Sequence, residues 1–402
     1  MVPKIRFSEF SDEWKKNKLG MVGKCISGLT YTPKNIVNDG LLVLRSSNVK
    51  NGAINLDDCV YVDLKVDNDS LTKENDILVC VRNGSKKLIG KTALVPSCLP
   101  KATHGAFMSV FRSDMNELLF HVFQTHSYYK KVNQDLGARI NSINSKNFLN
   151  YDFYLPNNKD EQQKIAKFLN KVDKKVTQLT DKHKLLKQYQ KSVTQQIFSQ
   201  KIRFKNKDGK DFPKWGISPL KNLAEKVSLK NNSEQEKTVL TNSARDGIVY
   251  QSDYFDKDIA NQNNLSGYYI VEKDCFVYNP RISELAPVGP IKRNHLSKGV
   301  MSPLYTVFQF NPNVNIDFME LYFNSSNWFK YMKSVANFGA RHDRMNITSK
   351  DFFDLPCPQP CQDEQIKITN FLKAIDNKIT LVEKQLEQAK AFKQGLLQQM
   401  FV

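Results

Sequence analysis

Apolar positions along the chain recur with two different periods. Ile165, Leu169, Val172, Val176, Leu179, His183, Leu186, Gln190, Val193 and Ile197 follow one another in alternating steps of four and three. That is the 3.5-residue period of a coiled-coil seam. A second series runs Ile368, Leu372, Ile375, Ile379, Val382, Leu386, Ala389, Lys393, Leu396 and Met400, each position displaced by 203 from its counterpart. The pattern predicts two long helices. Each opens with acidic residues, Asp160-Glu161 and Asp363-Glu364, where the helix dipole favours negative charge. The seam from Ile165 to Ile197 extends roughly 48 Å at 1.5 Å per residue. His183 and Gln190 read as register-setting or partly exposed polar residues and not as ligands. Two matched helices separated by a domain that returns the chain point to an intramolecular antiparallel pair.

Elsewhere the apolar runs are short and broken by Gly, Asn, Asp and Pro. Leu41–Leu44, Asp76–Val81, Asp274–Tyr278 and Leu304–Phe308 read as strands. Glu117–Lys131 and Phe318–Lys333 read as helices. An α/β or α+β domain of about 140 residues precedes each long helix.

The displacement near 200 extends beyond the helices. Lys4-Ile5-Arg6-Phe7 returns as Lys201-Ile202-Arg203-Phe204, Trp14 and Leu19 as Trp215 and Leu220, and Gly137-Ala138-Arg139 as Gly339-Ala340-Arg341. Ile143 to Phe148 returns as Ile347 to Phe352, Asp160-Glu161-Gln162 as Asp363-Glu364-Gln365, and Gln195 to Phe198 as Gln398 to Phe401. Six matches in one order make a tandem duplication. The expected fold is α+β: a duplicated α/β globular domain plus long helix, the helices forming an antiparallel coiled coil in a pseudo-two-fold circular arrangement. The expected boundaries are 1–18, 19–157, 158–217, 218–360 and 361–402. The twin of the linker after the first helix is the chain start, so the second helix should end beside the N-terminal segment.

Charge narrows the partner. The 402 residues carry 59 Lys+Arg against 41 Asp+Glu, a net charge of +18. Such a balance favours a polyanion, nucleic acid first and membrane headgroups second. With 40% apolar and 11% aromatic residues the chain is a packed protein, not a basic disordered tail. No apolar run reaches transmembrane length, the heptad helices lack the broad apolar face of a membrane-surface helix, and the opening residues lack a signal core. Seven cysteines without framework spacing suggest a reducing cytoplasm.

Catalytic motifs are near misses. Gly84 to Thr92 resembles a phosphate-binding loop but has five residues between its glycines where the motif has four, and a strand-like Ala-Leu-Val-Pro follows. Asn279-Pro280-Arg281-Ile282 lacks the second Pro and the aromatic of an amino-methyltransferase motif. Cys357 and Cys361 have no completing pair for zinc, and the six histidines form no spaced cluster. No catalytic or metal residue and no cofactor are assigned to the chain.

Base and phosphate recognition calls for Arg, Lys, Asn and Gln on loops. The first domain offers Arg45, Ser47, Asn48 and Lys50 after one strand, and Arg82, Asn83, Lys86, Lys87 and Lys91 after another. Arg139, Asn141 and Asn144 follow. The second offers Asn242 and Arg245, then Tyr278, Asn279 and Arg281, then Lys292 and Arg293, then Arg341, His342 and Arg344. These sets occupy equivalent points of the repeat but differ in residues, as two heads reading different sequences would require. Lys164, Lys171, Lys175 and Lys182 on the first helix are further candidates for DNA or partner contact.

The ordered duplication resembles the specificity subunits of type I restriction–modification enzymes. The Leu155-Pro156 to Asp160-Glu161-Gln162 and Pro358-Gln359-Pro360 to Asp363-Glu364-Gln365 junctions carry this resemblance, with the Lys-Ile-Arg-Phe, Trp and Gly-Ala-Arg pairs. It implies that 19–157 and 218–360 are target recognition domains, each reading half of a bipartite, asymmetric double-stranded DNA site, with the helices setting the spacer. It also implies two modification subunits carrying S-adenosylmethionine, and restriction subunits using ATP and magnesium. The alternatives are a coiled-coil adaptor and a stand-alone DNA-modifying enzyme with a cryptic site.

Overall fold

The structure, a computed structural model, describes residues 2–136, 141–254, 265–337 and 343–401. It divides into two compact units: residues 1–181 with 383–402, and residues 182–382. The first unit thus joins the chain's beginning to its end, as the circular repeat anticipates. Ile5 N–H donates to the Gln399 carbonyl at 3.0 Å, and Trp14 packs on Phe401 with ring centroids 6.2 Å apart.

The core sheet of the first unit contains β1 (Lys24–Ser27), β2 (Ile77–Cys80), β3 (Thr92–Leu94) and β4 (Met108–Arg112) in spatial order β1-β4-β2-β3, all antiparallel. Two short strands, Val49–Lys50 and Ala53–Ile54, extend it beyond β3. The second unit contains β5 (Ala224–Lys226), β6 (Phe276–Tyr278), β7 (Ile291–Arg293) and β8 (Thr306–Phe310) in the order β5-β8-β6-β7. The two sheets share one topology, so the duplication read from short motifs extends through the sheet.

These sheets are buried on both faces, which is why their strands read as unbroken apolar runs instead of alternating ones. Ile77 and Val79 face the helices with Phe111 and Phe123, whereas Leu78, Cys80 and Val110 face Leu42 and Ala102 of a second sheet. In the second unit Phe276 and Tyr278 face the helical side, and Val277 and Val307 the other. Gly90 and Gly289 open β3 and β7 with φ of +82° and +78°. A Cβ at Gly289 would lie 2.1 Å from the Asn279 carbonyl oxygen, so both the left-handed turn and the close approach demand glycine. In the near-miss phosphate loop, Gly90 is therefore a strand-entry turn. A short 3-10 turn, Lys86–Leu88, and β3 occupy the place where a phosphate-binding helix would start.

Each of the two expected helices, Glu117–Lys131 and Phe318–Lys333, is broken in two. Asn116–Val122 and His126–Asp135 are separated by Thr125, whose hydroxyl oxygen accepts from Tyr128 N–H and starts a new helix. Ile316–Phe323 and Phe329–Val335 are separated by Ser325, whose hydroxyl bonds back to the Tyr322 carbonyl. Thr and Ser compete locally for backbone partners, and helical periodicity alone does not register that.

The long helices are α1 (Lys159–Phe198) and α2 (Gln362–Met400). In the first unit Ile165 and Leu169 at the start of α1 pack with Leu396 and Met400 at the end of α2. In the second, Val193 and Ile197 at the end of α1 pack with Ile368, Leu372, Ile375 and Ile379 at the start of α2. The helices therefore run antiparallel. Leu179, Val382 and Leu386 are buried as well, while Val172, Val176 and Leu186 are half-buried.

Candidate nucleic-acid interface

Much of the repeated sequence serves the scaffold. In the first unit Glu161, buried at the start of α1, accepts from Arg6 Nε at 2.6 Å and Nη2 at 2.8 Å, and from Trp14 Nε1 at 3.2 Å. In the second, Glu364 accepts from Arg203 at 3.2 and 2.7 Å and from Trp215 Nε1 at 2.9 Å. The next residue acts in both as well: Gln162 donates to the Pro156 carbonyl and Gln365 to the Pro360 carbonyl. The Lys-Ile-Arg-Phe, Trp and Asp-Glu-Gln motifs are thus one device, clamping each helix start to the segment that precedes a head. The buried carboxylate raises the pKa of each guanidinium, chiefly through the shared hydrogen bonds.

With the scaffold set aside, a loop cluster remains at the end of β2. Val81 and Arg82 N–H both donate to the Phe107 carbonyl. The Arg82 guanidinium carbon lies 5.8 Å from the centroid of the Phe107 ring, and Phe107 is 57% exposed. Asn83 Nδ2 donates to Ser46 Oγ at 3.0 Å, Asn141 Nδ2 to the Gly84 carbonyl at 3.4 Å, and Arg82 bridges Ser142. Ser47, Lys86, Lys87 and Lys91 are exposed on the same loops. Four loops distant in sequence therefore form one polar, basic surface. Arg45 and Lys50 stand beside it, in ion pairs with Asp58 (2.8 Å) and Asp57 (3.2 Å).

At the equivalent place in the second unit Arg281 bridges Arg344. The Asn279 side-chain oxygen accepts from Arg281 N–H, and its amide donates to the Asn242 carbonyl. Ile282 N–H and the Asp343 carbonyl close the loop at 3.0 Å. Arg281 and Arg344 lie 4.0 and 3.9 Å from Asp343, and Arg245 is exposed on the neighbouring turn.

Six residues of the expected surface serve the fold instead. Asn48 is fully buried, donating to the Asn55 and Asp58 carbonyls. Asn242 is buried, donating to the Val277 carbonyl. Tyr278 stacks on Phe352 and donates to the Val288 carbonyl. Asn144 caps the helix Ser145–Leu149. Arg293 is held by Asp274, Asp317 and Glu320. Lys292 donates to Asn324, and burial lowers its pKa. All six are polar residues on or beside apolar strands, where sequence does not distinguish an inward from an outward side chain. Arg139, Arg341 and His342, with both Gly-Ala-Arg repeats, lie outside the described residues. Sequence reading missed Phe107. A lone apolar residue beside the basic run Arg82–Lys87 is a signal only once the two loops are known to meet.

Among the described residues no cluster of His, Cys, Asp or Glu could hold a metal ion, and no helix is long and apolar enough to cross a membrane.

Residues 11–188 match the family model described as the type I restriction modification DNA specificity domain. The chain is 26% identical over 194 residues to the type I restriction enzyme StySPI specificity subunit of Salmonella potsdam, and 28% over 196 residues to the EcoKI specificity subunit of Escherichia coli K12. Each match spans 45% of this chain and 41% of the relative. The fold is similar along the whole chain to the S subunit of a type I restriction–modification system from M. genitalium, with TM-score 0.58, 14% identity, and coverage of 100% of this chain and 99% of that one. A chain from a structure concerning complex assembly and conformational transition of the type I R-M system gives TM-score 0.54 at 15% identity, covering 97% and 98%.

Proposed function

We propose, for a chain whose residues 11–188 match the type I restriction modification DNA specificity domain, that it is the non-catalytic DNA-reading subunit of such a complex. Residues 19–157 and 218–360 act as target recognition domains, each reading one half of a bipartite double-stranded site. One observation carries this reading. Two sheets of identical order present different loop chemistry at the same point, Arg82 beside an aromatic in one and Arg281 beside an acid in the other. Exposed Arg82, Lys86, Lys87 and Lys91 with half-buried Asn83 in the first head, and exposed Arg245 and Arg281 with half-buried Asn279 and Arg344 in the second, contact bases and phosphates. The net charge of +18 makes this binding steeply salt-dependent.

The helices set the distance between the half-sites. Removing one heptad from both shortens them by about 10 Å, or about three base pairs. The complex contains two modification subunits. Tyr189 and Phe392, 203 positions apart at equivalent points of α1 and α2, are 52% and 56% exposed, and one such aromatic per unit supports two copies of one partner. Replacing either by Ala is expected to halve the bound modification subunit in native mass spectrometry. S-adenosylmethionine, ATP and magnesium enter through the modification and restriction subunits in the cytoplasm.

The test is genome-wide mapping of methylated bases in cells co-expressing the chain with its modification subunit. Two short specific blocks around a fixed gap are expected, with exchange of residues 19–157 altering one block only. A continuous motif, or none with an active partner, would overturn the reading.

A further inference from the structure

Arg82 and Phe107 stand apart from the rest of the loop cluster. The backbone of the Phe107 loop is pinned, since its carbonyl accepts from Val81 and Arg82 N–H at 3.1 and 3.0 Å. Its ring is nonetheless 57% exposed, although an aromatic of that size is costly to leave in water. The Arg82 guanidinium sits 5.8 Å from the ring centroid, within cation–π range. Such a contact limits the rotation of the guanidinium fork and lowers the entropy lost when the fork is fixed on a planar partner. At the equivalent position of the second head Arg281 instead lies 4.0 Å from Asp343. The residue matching Phe107 there is Leu304, 58% exposed, with no ring to stack on.

The major groove presents few features that suit this pair. A guanidinium fork matches guanine O6 and N7, and the apolar group on a base edge is the thymine 5-methyl. The 5.8 Å between the guanidinium carbon and the ring centroid lies between one and two base-pair rises of about 3.4 Å each, so the two groups span neighbouring pairs and cannot share one. Resting on the proposed function, we propose that Arg82 and Phe107 form a composite reader of two adjacent base pairs. Arg82 takes the guanine of a G·C pair, and the Phe107 ring contacts the thymine methyl of the neighbouring A·T pair. The block read by the first head therefore contains such a step, and the thymine is recognised through its methyl group.

The test uses the full chain in complex with its modification subunit, on duplexes carrying the mapped site. Thymine in the step is replaced by deoxyuridine, which removes the methyl and leaves pairing intact. Wild type is expected to bind the uridine duplex about fourfold more weakly, the worth of one buried methyl. Phe107→Ala is expected to bind thymine and uridine duplexes equally. Arg82→Gln is expected to lose tenfold or more in guanine preference at the adjacent pair, and to leave the second block unchanged. Because the uridine arm alters only the DNA, a folding defect cannot imitate it. If the map shows a bipartite site but its first block lacks the step, or if wild type is indifferent to the methyl, the composite reader is wrong while the proposed function stands. Absence of any bipartite site would remove both.

Discussion

The two units differ most at matched positions where the long helices meet the heads. In the first, His121 is fully buried, with Nε2 2.8 Å from Asn170 Oδ1 and Nδ1 3.8 Å from Asp173. Lys393 of α2 pairs with Asp173 and donates to Gln124. In the second, the counterparts of Asp173 and Lys393 are Asp376 and Gln190, whose side-chain amide donates to the Asp376 carboxylate. The Glu161 and Glu364 clamps, by contrast, are the same in both. A motif persists through the duplication where a buried carboxylate must be matched by two donors at once. It diverges where the partner is half-exposed and an amide substitutes for an ammonium at small cost.

Removing the clamps puts that comparison under the greatest stress. Glu161→Ala leaves the Arg6 side chain, only 9% exposed, without its carboxylate, and is expected to cost about 3–5 kcal/mol. Glu364→Ala is expected to cost less, because Arg203 is 24% exposed and water can replace part of the lost bonding. Urea unfolding of both variants measures the difference; equal losses would mean that the two clamps are energetically identical despite their exposure.

Acid separates the units next. Burial pushes the His121 pKa down to about 4, outweighing the attraction of Asp173. A histidine with a folded pKa below its unfolded value stabilises the fold fully above about 6.5, and that stability is lost as pH falls toward 4. The stake is about 3 kcal/mol in the first unit. Burial moves Asp376 the other way, above the ordinary carboxylate value, so its contribution is retained in acid and lost as pH rises. Hydrogen exchange at pH 7 and pH 4.5 is expected to show the start of α1 losing protection before the start of α2. The variant His121→Leu should abolish the contrast; a contrast that persists in it would assign the acid sensitivity to other groups.

The smallest effect comes from making one unit resemble the other. Lys393→Gln installs the second unit's amide in the first and is expected to cost about 1 kcal/mol, reading as a modest loss of thermal stability that shrinks at high salt. A loss unaffected by salt would show that Lys393 acts through its stem and not its charge.

The sequence by itself determined the duplication, the two heptad helices and their antiparallel pairing, because burial along a helix imposes a period that no other constraint imitates. Every seam position of both helices is buried or half-buried, including His183 and Gln190. It also located the loops that carry Arg82 and Arg281, since short apolar strands between turn residues mark where loops emerge. The tertiary structure alone decided which polar residues face outward. Asn48 and Asn242 look like base readers in sequence, yet both amides are spent on backbone carbonyls, since a buried polar group must find its partner inside the fold. It alone joined Arg82 to Phe107, 25 residues away, and Arg6 to Glu161, because such contacts depend on where strands turn and helices end. Periodicity reports which residues are buried; which residues meet is settled only when the elements pack.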